Sequence, residues 1–126
     1  MFKVLLLIIT VITSSSVGAD WLKHGETDDI VFYYDPSTIR KDGNIRRLWV
    51  LEDYAQKNKF GGLSSNARTE IDCNLEKFRF LSVRIHSDPM GGGKILESTI
   101  GSGPSPWSDI PPKSVQNGLF KIVCAK

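Results

Sequence analysis

The chain has little of what metal, redox and many catalytic sites are built from. Two cysteines and two histidines occur in 126 residues. No Cys-x-x-Cys is present, and no histidine lies near either cysteine, so a zinc set has too few ligands. Charge of one sign is also missing: sixteen Lys and Arg face fourteen Asp and Glu, for a formal net charge of +2. That balance gives no electrostatic case for nucleic acid. Long apolar runs are absent too. The longest, Val4 to Ile12, is too short to span a bilayer.

That short run has another use. Lys3 precedes it, Ser14-Ser15-Ser16 follows, and Val17-Gly18-Ala19 puts small residues where a signal peptidase reads. Residues 1–19 are therefore expected to be a secretory leader cleaved after Ala19, leaving a single domain over residues 20–126. No cysteine stands at the cleavage site to take a lipid. The expectation is a periplasmic or secreted protein with no membrane anchor after cleavage.

In an exported chain two cysteines most simply pair. Cys73–Cys124 would tie the middle of the chain to its end, and closing a loop of that size contributes roughly 4 kcal/mol.

The remaining sequence alternates. Ile30 to Tyr34 is rich in β-branched and aromatic residues and predicts a strand. Lys23 to Asp29 is polar and predicts a loop. Asp35-Pro36 breaks the strand, and Asp42-Gly43-Asn44 supplies a tight hairpin turn. Ile45 to Tyr54 is the longest candidate; its centre, Leu48 to Leu51, is apolar in both phases, which calls for cover over both faces. Ser64 to Cys73 places Thr69, Ile71 and Cys73 on one face and Arg68, Glu70 and Asp72 on the other, a half-buried strand. By the same alternation Phe78 to His86 sets Arg79 apart from Arg84. Lys94 to Ile100 returns, and Gly101 to Pro112 crosses as an irregular loop pinned by Trp107. Val115, Leu119, Ile122 and Val123 then form a helical stripe. The predicted class is α+β: an antiparallel sheet of about five or six strands with one C-terminal helix packed on it, held by one disulfide.

Ordered motifs run through this pattern. Trp21 is followed by Tyr-x-Asp-Pro-x-x-Ile at Tyr33 to Ile39, and by Arg-x-Trp-Val-Leu-x-Asp-Tyr at Arg47 to Tyr54. Ser65, Glu70-Ile71-Asp72-Cys73, then Arg79-Phe80 come next. Met-Gly-x-Gly-Lys stands at Met90 to Lys94, Trp-x-x-Ile-Pro-Pro-x-Ser at Trp107 to Ser114, and Val123-Cys124 closes the series. The set resembles the surface-adhesin protein E family over essentially the whole of residues 20–126. That resemblance implies an exported, non-enzymatic binding domain that holds host extracellular-matrix proteins and forms a monomer or weak homodimer.

Candidate chemistry is thin. Gly91-Gly92-Gly93-Lys94 lacks the Ser or Thr after the lysine and the glycine six residues before it that a phosphate loop needs; Ile95 and Asp88 stand there. Adjacent acids, Asp28-Asp29 and Glu52-Asp53, point to opposite faces if extended. His86 is expected at a solvated strand end, Trp49 in the core, and Asp72 in a pair with Arg68 or Arg79. Arg46, Arg47, Arg79 and Arg84 offer a basic stripe to an anionic partner, with ordinary solubilising charge as the competing reading. Trp21 and Trp107 are either candidate contacts or loop pins, since aromatics concentrate binding energy and also anchor loops. The candidate binding residues are Trp107, Arg46, Arg79 and Arg84; no catalytic residue, cofactor or metal is expected. Two other functions remain: a periplasmic inhibitor or envelope accessory acting through a rigid Gly101–Pro112 loop, and a small hydrolase.

Overall fold

A computed structural model describes residues 8–9 and 20–125. The expected leader lies outside them but for residues 8 and 9.

Among the described residues, eight strands form one antiparallel sheet. They are β1 (Leu22–Glu26), β2 (Ile30–Tyr34), β3 (Arg40–Asp42), β4 (Ile45–Tyr54), β5 (Ser64–Asp72), β6 (Lys77–His86), β7 (Ile95–Ser98) and β8 (Ser108–Asp109). The order is β1-β2-β4-β5-β6-β7, with β3 paired to β4 and β8 to β6. One helix, α1 (Val115–Val123), follows. The α+β class and the sheet-plus-helix layout are those the alternation predicted.

Two-residue periodicity sorts the sheet into two faces. Register places Leu48, Thr69 and Phe80 side by side on β4, β5 and β6, with Arg46, Ile71 and Phe78 in the next row. This face carries α1. Leu48, Ile71, Leu119 and Val123 form its buried core. Ser114 caps the helix by accepting a hydrogen bond from Asn117 N at 3.0 Å. Gly25 lets β1 approach: a Cβ there would sit 2.8 Å from Val115 Cγ1. The stripe is centred between Leu119 and Val123, so Ile122 stands at its margin, 45% exposed.

The segment expected to loop before Asp29 is instead the edge strand β1. Its register slips between Lys23 and Gly25, and the extra residue, His24, turns in against the Phe32 and Tyr34 rings. A bulge of this kind hides alternation from a sequence reader. Nor is β5 half-buried. Thr69 and Ile71 are buried on the helix side, and Glu70 is buried on the other.

Gly43 takes φ +57° between β3 and β4, the left-handed value that the hairpin requires. Cys73 and Cys124 are bonded, their Cα atoms 5.6 Å apart. The bridge joins the end of β5 to the C-cap of α1.

Replacing both cysteines by serine is expected to lower unfolding free energy by roughly 3–4 kcal/mol, because they lie 51 positions apart. Urea denaturation of the double variant measures this. A loss under about 1 kcal/mol would show that packing alone holds α1.

Candidate functional site

The face opposite α1 is the candidate. Its rows follow from register. Arg40, Arg47, Glu70 and Arg79 lie abreast across β3 to β6. Trp49, Arg68 and Ser82 make the next row; Leu51, Asn66 and Arg84 the third.

A bulge decides this arrangement. Arg68 pairs with Ser82 and Thr69 with Phe80, so Leu81 is the extra residue in β6. Strict alternation separates Arg79 from Arg84; the bulge returns both to the open face. Arg46 goes the other way. It points to the helix side, where its Nε donates to the Val123 carbonyl at 3.2 Å and its Nη1 to Gly43 O at 2.8 Å. A cation there suits the negative end of α1. Of the expected binding residues, then, the structure brings Arg79, Arg84 and Trp107 to one face and leaves Arg46 on the other.

Glu70 anchors the first row. One carboxylate oxygen accepts from Arg47 Nη2 at 2.7 Å, and the other from Arg79 Nε at 2.8 Å and Nη2 at 2.7 Å. Trp107 closes the row, its ring 4.4 Å beneath the Arg79 guanidinium. Burial works to raise the Glu70 pKa, but hydrogen bonds and charge from both arginines outweigh it and hold the carboxyl below its ordinary value. Asp72 does not join this network. Its Oδ1 accepts from Asn74 N and Leu75 N, both at 2.9 Å, and caps the β5–β6 turn.

Two 3₁₀ turns bound the face. Pro36–Thr38 is fixed by Asp35, which accepts from Ser37 N at 3.0 Å, and by Thr38 Oγ1, which accepts from Trp49 N at 3.0 Å. Pro89–Gly91 is held over the far end: Met90 N donates to Asp53 Oδ1 at 2.9 Å and Gly91 N to Ser64 Oγ at 2.8 Å. Beside that turn His86 is buried, not solvated; burial and then the charge of Arg84 lower its pKa. Between the turns runs a trough. One part, about 360 Å³, is bounded by Arg40, Arg47, Arg68 and Trp49. The other, about 240 Å³, lies among Trp49, Trp21 and Arg84.

Trp49, expected in the core, is half-buried and forms the trough floor. Arg40 and Arg68 were not foreseen as contacts. A signal for Arg40 existed: a two-residue turn at Gly43-Asn44 puts Asp42 opposite Ile45, hence Arg40 opposite Arg47.

The helix side holds a second polar group. Tyr54 Oη donates to Glu52 Oε2 at 3.1 Å and lies 2.8 Å from Ser65 Oγ. Burial raises the Glu52 pKa, the Tyr54 hydrogen bond opposing it. No hydrogen bond joins Ser65 to either histidine among the described residues, so the group is not assembled as a nucleophile with its base. His24, also on this side, has its pKa lowered by burial.

The family model of surface-adhesin protein E matches residues 21–125. No curated protein matches the chain. Crystal form II of Haemophilus influenzae protein E is similar at 13% identity and TM-score 0.65, covering 86% of this chain and 90% of that one. Another Haemophilus influenzae protein E structure gives 12% identity and TM-score 0.62, covering 86% of each chain. A third, from a non-typeable Haemophilus influenzae, gives 12% and 0.61 over 88% of this chain and 79% of that one. At such identity the likeness speaks for the fold.

Two carboxylates should titrate in opposite senses. A depressed pKa means that Glu70 stabilises the fold above its unfolded value, about 4.3, and that this is lost as pH falls through the folded pKa. Glu70→Gln should therefore destabilise at pH 7, by about 3 kcal/mol, the low end for a broken pair because the arginines can reach water, and flatten the acid limb. Glu52, with its pKa raised, favours the fold only below about 4.3, and that contribution is lost as pH rises. Glu52→Gln should raise Tm at pH 7 and change it little at pH 4. Calorimetry across pH 3–7 checks both; parallel curves for wild type and variants would refute them.

Proposed function

Because the chain belongs to the surface-adhesin protein E family, we propose that it is an exported, non-enzymatic binding module, periplasmic or secreted after loss of residues 1–19. It presents the open face of its sheet to an acidic patch on a protein partner, a host extracellular-matrix or envelope protein. One observation carries this: Arg40, Arg47, Arg68, Arg79 and Arg84 share the face that α1 leaves free, and Glu70 pairs with two of them, Arg47 and Arg79. Folding alone gives no reason to gather them, and charged faces of one sign steer partners of the other. Trp107 at the end of the row adds an aromatic contact of the kind that concentrates binding energy. The module works as a monomer or weak homodimer.

An inhibitor acting through Gly101–Pro112 has one observation in its favour. The loop is tied down: Ser105 N donates to Phe80 O at 2.8 Å, Phe80 N donates to Ser105 Oγ at 2.9 Å, and β8 pairs with β6. A pre-ordered loop loses less entropy on binding.

Cell fractionation, with pull-down from envelope extract and from immobilised matrix proteins, tests the reading. Arg68→Glu with Arg84→Ala should weaken capture tenfold or more, about 1.4 kcal/mol, while Tm holds. Capture that ignores both changes but vanishes with Trp107→Ala would move the function to the loop.

A further inference from the structure

The open face holds more positive charge than the fold uses. Arg40 and Arg47 stand directly opposite on β3 and β4, a like-charge pair that weakens a ladder. Glu70 answers Arg47 and Arg79. Among the described residues, Arg40, Arg68 and Arg84 have no carboxylate within ion-pair distance. Arg40 donates only to the Ser37 and Ile39 carbonyls. Arg68 is the one exposed residue of β5. The Arg84 Nε is buried without a partner.

These three arginines lie on a diagonal. Arg40 is in the first row on β3, Arg68 in the second on β5, Arg84 in the third on β6. Rows are about 7 Å apart along a strand and neighbouring strands about 4.8 Å apart. The trough follows the same line, and its two parts meet at Thr38 and Trp49.

We infer that this trough binds a sulfated or carboxylated polysaccharide chain, of the glycosaminoglycan type carried by matrix proteins. The inference rests on the binding-module reading above and names the chemistry that the module recognises. Guanidinium forks match sulfate and carboxylate with paired hydrogen bonds. A compact anion would meet one or two of the arginines; a chain that repeats its charge meets all three. Trp49 and Trp21 offer flat indole surfaces, and the C–H face of a sugar ring packs on such a surface while its hydroxyls stay in water. An acidic peptide fits less well. β4 and β5 are bonded on both sides, so a peptide lying on them finds no free backbone partners for its own amides.

Heparin and chondroitin sulfate are the probes, titrated into the purified protein at physiological ionic strength and read by tryptophan fluorescence. Binding should shift the emission. Arg40→Ala/Arg68→Ala/Arg84→Ala should weaken it on the order of 100-fold, as charge-assisted hydrogen bonds are lost. Lys57→Ala, an exposed loop position, should leave it unchanged. Should the triple variant fail to fold, the exposed Arg68→Ala alone should still weaken binding severalfold. Polyglutamate and single-stranded DNA of matched charge should compete poorly. Equal competition by either, no binding of either glycan, or heparin binding indifferent to Arg68 overturns the proposal. Matrix protein stripped by glycan lyase separates the two readings. Loss of capture on stripping supports the glycan. Capture that survives stripping and still depends on Arg68 refutes the glycan and keeps the protein-binding module. Failure to capture native matrix or envelope protein, together with failure to bind free glycan, removes both.

Discussion

One carboxylate, Glu70, organises the face that α1 leaves open. Buried in the central strand, it accepts from Arg47 on one side and Arg79 on the other. Without it, two guanidiniums would stand unneutralised over the middle of the sheet. With it, they become a fixed platform, Arg79 held flat on Trp107. The neighbouring Arg40, Arg68 and Arg84 have no carboxylate within ion-pair distance among the described residues. The opposite face solves a different problem. There α1 covers Leu48 and Ile71, and Arg46 is drawn off to the helix C-terminus. Adjacent arginines in the sequence, Arg46 and Arg47, thus go to the helix C-terminus and to the Glu70 pair separately.

Much of the fold was legible because it follows periodicity. Ile45 to Tyr54 announced two covered faces; α1 covers one, and on the other the Pro89–Gly91 turn lies over Leu51 while Trp49 stays half-buried. The Val115 stripe gave α1, and the cysteine count gave the bridge. What alternation could not show were its own interruptions. His24 and Leu81 each add a residue to one strand and invert everything beyond it. A reader who counts by twos loses β1 and assigns Arg79 and Arg84 to different faces. Glu70 was legible as an exposed acid and is buried, because its partners come from β4 and β6 and only pairing reveals them. His86 was misplaced for the same reason: its neighbours Ser64 and Ile95 come from β5 and β7, and only pairing reveals them.

The structural likeness, at 12–13% identity over 86% of the chain, fits this picture. A sheet of this kind needs a pattern of inward side chains, a few turn residues and a staple, and few particular residues beyond them. Fold therefore travels further than function, and recognition has to be argued from the side chains on the open face.

The bond between Cys73 and Cys124 has a consequence for how the molecule is made. With two cysteines in the sequence, one intramolecular pairing exists, so there is no wrong partner to undo. An oxidant suffices and a shuffling catalyst does not enter. The second thiol sits at the end of α1, after every strand, so the first must wait until the whole sheet has been synthesised. Oxidation is therefore a clasp that can be fastened only once every strand has left the ribosome.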